Sequence, residues 1–136
     1  MADSVILNKT ASIERCLRRV RKDYMGFEKE FDSDFMRQDA ILLNLQRACE
    51  QSLDLANHLI KTKNLGVPQN SKHTFVILQQ NGIIGDELSK KLLNMVGFRN
   101  IAVHEYSKLD LAVVKSIIEK HLDDFRQFVK IALQFV

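Results

Sequence analysis

The segment RNIAVHEY, residues 99–106, brings together an arginine, an amide, an imidazole and a phenol. Arginine offers a planar fork of hydrogen-bond donors that suits phosphate, and histidine changes its protonation near neutral pH. Cleavage of a phosphodiester without a metal would use such a pair. The cation would stabilise the charge that builds on phosphorus, and the imidazole would act as acid or base. Arg99 and His104 are therefore candidate residues for phosphodiester chemistry.

The spacing of Arg99 and His104 raises a geometric problem. On a continuous α-helix, residues five apart are separated by about 140° around the axis and about 7.5 Å along it. Either the helix frays near Val103, or a two-fold axis brings the arginine of one chain to the histidine of another. Asn100 lies one helical turn before His104, where its amide could fix the imidazole tautomer. Beyond the helix, Tyr106 would face the same side of an extended chain as His104.

The same residues also have a purely structural interpretation. An arginine and a histidine near the C-terminus of a helix can bind the last carbonyl groups and oppose the helix dipole. Spacing alone does not decide between this role and catalysis.

Helical periodicity covers almost the whole chain, and only five glycines and one proline interrupt it. No segment alternates like a strand, and no internal repeat is evident. The predicted helices run from a cap at Asp3 or Ser4 to Gly26, from the Asp34 cap to about Lys63, from Lys72 to Gln80, from about Asp86 into RNIAVHEY, and from the Asp110 cap to the C-terminus.

Apolar stripes at helical spacing predict which residues are buried. They are Ile6, Ile13, Leu17, Val20 and Tyr24 in the first helix, Phe35, Leu42, Leu45, Cys49, Leu53, Ala56 and Ile60 in the second, Leu88, Leu92, Met95 and Val96 in the fourth, and Val114, Ile117, Ile118, His121, Leu122, Phe125, Phe128 and Val129 in the last. These stripes predict an all-α fold, an antiparallel bundle of four to five helices in one domain, residues 1–136.

Composition excludes several classes of protein. Hydrophobic residues make up 46% of the chain and charged residues 27%, as in ordinary globular proteins. The two cysteines are far apart in the sequence and are expected to be buried thiols, and the four histidines lack zinc-site spacing, so no metal or cofactor is expected. No apolar run approaches the roughly 18 residues of a membrane span, and the N-terminus does not resemble a secretory signal. We therefore expect a cytoplasmic protein without membrane contact.

Two further groups of polar residues have open roles. Four cations, Arg15, Arg18, Arg19 and Lys22, share one face of the first helix. They are either a solvated helix face or a contact for RNA phosphates, and a net charge of +3 does not require nucleic acid. Asp54 and His58, one turn apart, could form a polar pair that lines a dimer cleft near RNIAVHEY or, more simply, a hydrogen bond on the surface or at an interface.

The segment from Arg99 to Tyr106 resembles the R-x4-H-x-Y motif of the HEPN superfamily, and most closely that of its HepT branch. The resemblance extends over nearly the whole chain through the helical pattern, the segment NLQRACEQSLDLANHLI of the second helix and NMVGFRNIAVHEY before the last. It implies an HEPN-like helical bundle that forms a homodimer, in which two motifs line one composite cleft.

The resemblance also implies a function. Proteins of this branch are metal-independent endoribonuclease toxins, paired with a nucleotidyltransferase antitoxin of the MntA type. Arg99 and His104 would then be the catalytic pair, supported by Asn100, and Tyr106 would receive AMP from the antitoxin. RNA would be the substrate, with tRNA as the favoured target. The alternative is a non-catalytic helical module that binds nucleotide or its nucleotidyltransferase partner; intact Arg99, His104 and Tyr106 favour the nuclease.

Overall fold

The computed structural model describes residues 2–136, which form six α-helices and two 3-10 turns, with no strand among them. The helices are α1 (Ser4–Tyr24), α2 (Phe35–Thr62), α3 (Ser71–Gln80), α4 (Asp86–His104), α5 (Leu111–Lys120) and α6 (Leu122–Ala132). The 3-10 turns are Tyr106–Lys108 and Leu133–Phe135. The predicted all-α fold is confirmed.

Aspartate caps begin three of the helices, as the sequence predicts. Asp3, Asp34 and Asp110 each accept hydrogen bonds from backbone N–H groups in the first turns of α1, α2 and α5. These N–H groups have no partner within the helix, so a side-chain acceptor stabilises the helix start. The start of α4 has no side-chain cap, but Asp86 and Glu87 place negative charge in its first turn, at the positive end of the helix dipole.

The sequence predicts one continuous helix from the Asp110 cap to the C-terminus, but the structure has two helices there. At His121 the backbone takes φ −124° and ψ 3°, which separates α5 from α6. The His121 side chain is 41% exposed instead of lying in the apolar stripe, and its Nδ1 is 3.0 Å from Oδ2 of the buried Asp124. The periodicity does not reveal this break, because Ile118 and Leu122 stay buried on either side of a single non-helical residue. The break accounts for the sixth helix.

One cluster of buried apolar residues connects the six helices. α1 packs along α2, and α2 in turn contacts α3, α4 and α6. The predicted stripes are buried with two exceptions, His121 and Phe35. Phe35 is 73% exposed, because it is the first residue of α2 and lies outside the contact with α1. One domain that spans residues 1–136 stays a prediction.

Both cysteines are buried and free, as predicted. Burial raises the pKa of the Cys49 thiol to about 12, which leaves it protonated and unreactive at neutral pH. None of the helices formed by residues 2–136 has the length and apolar character needed to cross a membrane.

Candidate active site

Helix α4 continues through most of the RNIAVHEY segment. Arg99, Asn100 and His104 all belong to it, and the N–H of Glu105 still donates to the carbonyl of Ile101 at 2.9 Å. The proposed fraying near Val103 is therefore wrong. Arg99 and His104 keep the angular separation of about 140° that a regular helix imposes.

A groove joins this end of α4 to the start of α3. Seven of its eight lining residues are polar or charged, around a volume of about 560 Å³; the eight are Asn70, Ser71, Lys72, Arg99, Asn100, Ile101, His104 and Glu105. Arg99 and His104 thus face one groove, which is wide enough that they need not meet at one atom. The N-terminus of α3 adds the positive end of a helix dipole to the two cations, Arg99 and Lys72. The groove suits a polyanion.

The start of α3 is held in place by hydrogen bonds to its own cap and to α2. The Asn70 side chain accepts from the N–H of His73 at 2.9 Å, and the Thr74 hydroxyl donates to Asn57 of α2 at 3.0 Å. These bonds fix the position of Lys72 opposite the end of α4.

Arg99 makes few contacts for a half-buried guanidinium. Its Nη1 donates to Oδ1 of Asn100 at 3.1 Å, and its Nε lies 3.7 Å from Oε1 of Glu50, too far for a hydrogen bond. Nε is buried and has no hydrogen-bond partner within residues 2–136. Glu50 is itself held by Gln46, whose amide donates to it at 3.2 Å. A guanidinium carries five N–H donors, so Arg99 retains most of its capacity to bind a phosphate.

Asn100 contacts Arg99 and not His104. The predicted bond between the amide and the imidazole is absent from residues 2–136 as the structure describes them, because the amide oxygen accepts from the guanidinium. The His104 side chain is exposed at the end of α4. Asn100 is thus placed to orient the arginine.

Tyr106 departs from the expected extended conformation. It begins a 3-10 turn, and its hydroxyl donates to Oδ1 of Asp39 on α2 at 3.1 Å. Tyr106 is not among the residues that line the groove with His104. Partial burial, the hydrogen bond that the phenol donates to Asp39 and the charge of that carboxylate raise the pKa of the Tyr106 phenol. The phenol is therefore protonated at neutral pH, and 54% of the residue is exposed.

The predicted Asp54–His58 pair does not form. His58 Nε2 lies 2.6 Å from Oδ2 of Asp3, and Asp54 forms an ion pair with Lys9 at 3.1 Å. Both partners belong to the N-terminal part of the chain, because α1 packs along the face of α2 that carries Asp54 and His58. These two residues lie outside the groove.

The basic face of α1 is exposed, as its spacing predicts. Its four cations line a shallow surface depression together with two more arginines, Arg21 and Arg126. Burial raises the pKa of the Cys16 thiol, and the charges of Arg15, Arg19 and Arg47 oppose that rise, so Arg47 of α2 lies near Cys16. Arg47 is one helical turn from Glu50, the residue beside Arg99.

Sequence reasoning missed three residues that the fold brings to the motif: Asp39, Glu50 and Lys72. Each lies far from RNIAVHEY in the sequence, and a charged residue on an exposed helix face gives no distinctive signal. Only the packing of α2 and α3 against α4 identifies them. Within residues 2–136, no group of three or more His, Cys, Asp or Glu side chains is arranged to hold a metal ion.

The chain matches a known protein family and is similar to a protein of that kind. The family model described as Ribonuclease HepT-like matches residues 13–132. The chain is similar to the mRNA nuclease HepT of Shewanella oneidensis, with 45% identity over 129 residues, 95% of this chain and 96% of the relative.

Two solved structures have the same fold. One is the tri-AMPylated Shewanella oneidensis HEPN toxin in complex with MNT antitoxin, with a TM-score of 0.91, 45% identity and coverage of 96% of this chain and 97% of that one. The other is a toxin-antitoxin with AMP-PNP, with a TM-score of 0.92, 43% identity and coverage of 96% and 99%. The predicted HEPN resemblance is confirmed.

Proposed function

Because this chain belongs to the Ribonuclease HepT-like family, we propose that the protein is the endoribonuclease toxin of a toxin-antitoxin pair. The observation that carries the proposal is the groove in which Arg99 and His104 face Lys72 and the N-terminus of α3. The nuclease name of the Shewanella relative supports the same reaction.

The reaction is attack by an RNA 2′-OH on the adjacent phosphorus. The new bond closes a 2′,3′-cyclic phosphate, the bond to the 5′ oxygen of the next nucleotide breaks, and that oxygen leaves as a 5′-OH. His104 transfers the proton of the 2′-OH to the leaving 5′ oxygen. Arg99, oriented by Asn100, stabilises the charge on the phosphoryl oxygens. No step needs a metal ion, so cleavage proceeds in EDTA.

The active unit is a homodimer in which two motifs line one cleft. Large apolar side chains that are exposed on α2 and in the motif support this arrangement: Phe35 is 73% exposed, Met36 85%, Leu43 45% and Val103 40%. Large apolar side chains grouped on one face are typical of an interface. A two-fold axis there would bring the arginine of one chain and the histidine of the other together in each site.

The basic face of α1 supports binding of the RNA beyond the cut site. Arg15, Arg18, Arg19 and Lys22, which line one shallow depression of the surface, contact phosphates of the RNA.

The antitoxin is a nucleotidyltransferase of the MntA type that inactivates the toxin by attaching AMP to Tyr106. The similar Shewanella toxin is tri-AMPylated and in complex with MNT antitoxin, which supports this regulation. The exposed phenol is accessible to an enzyme, and an attached anionic nucleotide would compete with RNA for Arg99 through both volume and charge.

Incubation of the unmodified protein with total cellular RNA in EDTA tests the proposal. We expect discrete cuts with cyclic-phosphate ends, lost by at least about a hundredfold in His104→Ala because proton transfer contributes that much. His121→Gln is the matched control, since His121 lies outside the groove, and it should cut normally.

The mapped ends also decide between mRNA, which the name of the Shewanella relative specifies, and tRNA, which the sequence analysis favoured. Equal cutting by wild type and His104→Ala, or none by wild-type protein whose Tyr106 carries no AMP, would reject the nuclease. The non-catalytic binding module would then take its place.

A further inference from the structure

The phenol of Tyr106 is already paired with an acceptor on another helix. Its hydroxyl donates to Oδ1 of Asp39 at 3.1 Å, and within residues 2–136 this is the one hydrogen bond recorded for it. Asp39 lies in the second turn of α2, on the same helix as the residues that contact Arg99 and α3. Both Asp39 and Tyr106 are exposed, so a partner enzyme could reach the pair.

The geometry of the pair is maintained by backbone hydrogen bonds on the tyrosine side. In the 3-10 turn, the N–H of Lys108 donates to the carbonyl of Glu105 at 2.8 Å, and the N–H of Leu109 donates to that of Tyr106 at 3.0 Å. Glu105 and Lys108 also form an ion pair at 3.2 Å. The turn that carries Tyr106 is therefore held by its own backbone hydrogen bonds and ion pair, and the bond from Tyr106 to Asp39 links it to α2.

Nucleotidyl transfer to a tyrosine requires the phenol to lose a proton. A neutral phenol is a weak nucleophile, and a nucleophile of this kind is activated by an adjacent base. A carboxylate within hydrogen-bond reach of the attacking oxygen meets the geometric requirement for that base. Asp39 meets it, and its place is fixed by the toxin itself.

We propose that Asp39 is a catalytic residue of the modification, accepting the proton of Tyr106 as the phenol attacks a nucleoside triphosphate bound by the antitoxin. The inference rests on the proposed function, in which Tyr106 receives AMP. The phenolic oxygen bonds to the α-phosphorus, the bond from that phosphorus to the oxygen bridging to the β-phosphate breaks, and pyrophosphate leaves with the electron pair. The proton passes to the Asp39 carboxylate and then to water. The toxin thus supplies part of the chemistry that inactivates it.

A single-turnover assay of AMP transfer tests this role. Unmodified toxin in complex with its antitoxin is mixed with saturating ATP, and the mass of the intact toxin is followed in time. Asp39→Asn removes the base but keeps the shape, so we expect the rate constant to fall about a hundredfold, the size of a typical general-base contribution. Asp39→Glu keeps a carboxylate and should recover part of the rate.

Asp54→Asn is the matched control, because Asp54 is an aspartate on the same helix that pairs with Lys9 and is remote from Tyr106. It should be modified at the wild-type rate. Tyr106→Phe lacks the phenolic hydroxyl and gives the background of the assay. Circular dichroism and thermal unfolding of each variant establish that it is folded.

An unchanged rate constant in Asp39→Asn overturns the inference. The inference is also overturned if only the concentration of ATP or of antitoxin that gives half-maximal rate changes. Such a result would mean that Asp39 affects binding and not proton transfer. If wild-type toxin gains no AMP on Tyr106, the proposed modification itself fails, a result distinguishable from the other two because it appears before any Asp39 variant is compared.

Discussion

Among the single residues of the groove, Arg99 makes few hydrogen bonds within residues 2–136. One of its donors bonds to Asn100, its nearest carboxylate oxygen is 3.7 Å away on Glu50, and its buried Nε has no hydrogen-bond partner within residues 2–136. Because Nε is buried, the donors left for a phosphate oxygen are those of the two Nη groups, of which the structure engages one with Asn100. The arginine is therefore prepared for an anion, and Asn100 determines its orientation.

A double-mutant cycle tests whether Asn100 acts through Arg99. Asn100→Ala should lower kcat/KM for RNA by roughly tenfold, from a hydrogen bond to a charged group worth about 1.5 kcal/mol. In an Arg99→Ala background the same change should have almost no further effect, because the partner is gone.

One outcome of the double-mutant cycle would contradict a role of Asn100 through Arg99. If Asn100→Ala still slows cleavage in Arg99→Ala but not in His104→Ala, the amide acts on the imidazole, as the spacing of the sequence first indicated.

At the scale of elements, the start of α1 depends on a contact with α2. The Asp3 carboxylate caps α1 by accepting from Val5 and Ile6, and it lies 2.6 Å from Nε2 of His58. The hydrogen bond from His58, opposed by desolvation and aided by the two backbone bonds, lowers the pKa of Asp3. One side chain thus both begins a helix and attaches it to its neighbour.

Asp3→Ala should lower the free energy of unfolding, measured by urea denaturation. A carboxylate whose pKa is lower in the folded than in the unfolded chain stabilises the fold above the unfolded value of about 4, and this stabilisation is lost as pH falls through the folded value. The difference between wild type and Asp3→Ala should therefore be constant near neutral pH and shrink below about pH 4. A difference that does not change with pH would contradict the ionic role of Asp3.

The basic face of α1 makes a separate prediction. In a His104→Ala background, which prevents cutting, removing Arg15 and Arg19 together should weaken RNA binding. For single-stranded RNA, two lost phosphate contacts should reduce the slope of log affinity against log salt by about 1.4. Replacing Lys90 and Lys120, two exposed lysines elsewhere, provides a control with the same change in charge. An unchanged slope after loss of the arginines would show a solvated helix face.

At the scale of the whole molecule, the groove of one chain holds Arg99 and His104 without bringing them together. Their separation on one regular helix is about 140°, and the neighbouring surface of α2 exposes large apolar side chains. Both features are explained if a second copy covers this surface and supplies the missing half of each site. The proposed nuclease is then active only as an assembly.

Mixing two inactive variants tests a shared site. If each site combines Arg99 of one chain with His104 of the other, a dimer of Arg99→Ala with His104→Ala has one intact site and one doubly defective site. After unfolding and refolding together, half of the dimers are mixed, so about a quarter of wild-type cleavage should return. No recovery, with mixed dimers demonstrated by mass spectrometry, would place both residues of a site on one chain.

The sequence by itself determined the helices and the motif. Apolar spacing and aspartate caps act within a few residues, so the buried stripes and the starts at Asp3, Asp34 and Asp110 could be predicted without knowing the fold. The break at His121 could not, because it leaves the phase of the apolar pattern almost unchanged. The exposure of Phe35 likewise depends on where α1 ends relative to α2.

Only the tertiary structure decided which partners the polar residues have. Asn100 bonds to Arg99 and not to His104, His58 bonds to Asp3 and not to Asp54, and Tyr106 meets Asp39. Most of these contacts join residues far apart in the chain, and a surface carboxylate or amide has several possible partners within one helical turn. Helix packing selects among them, because it brings one partner within hydrogen-bond distance and moves the others out of reach.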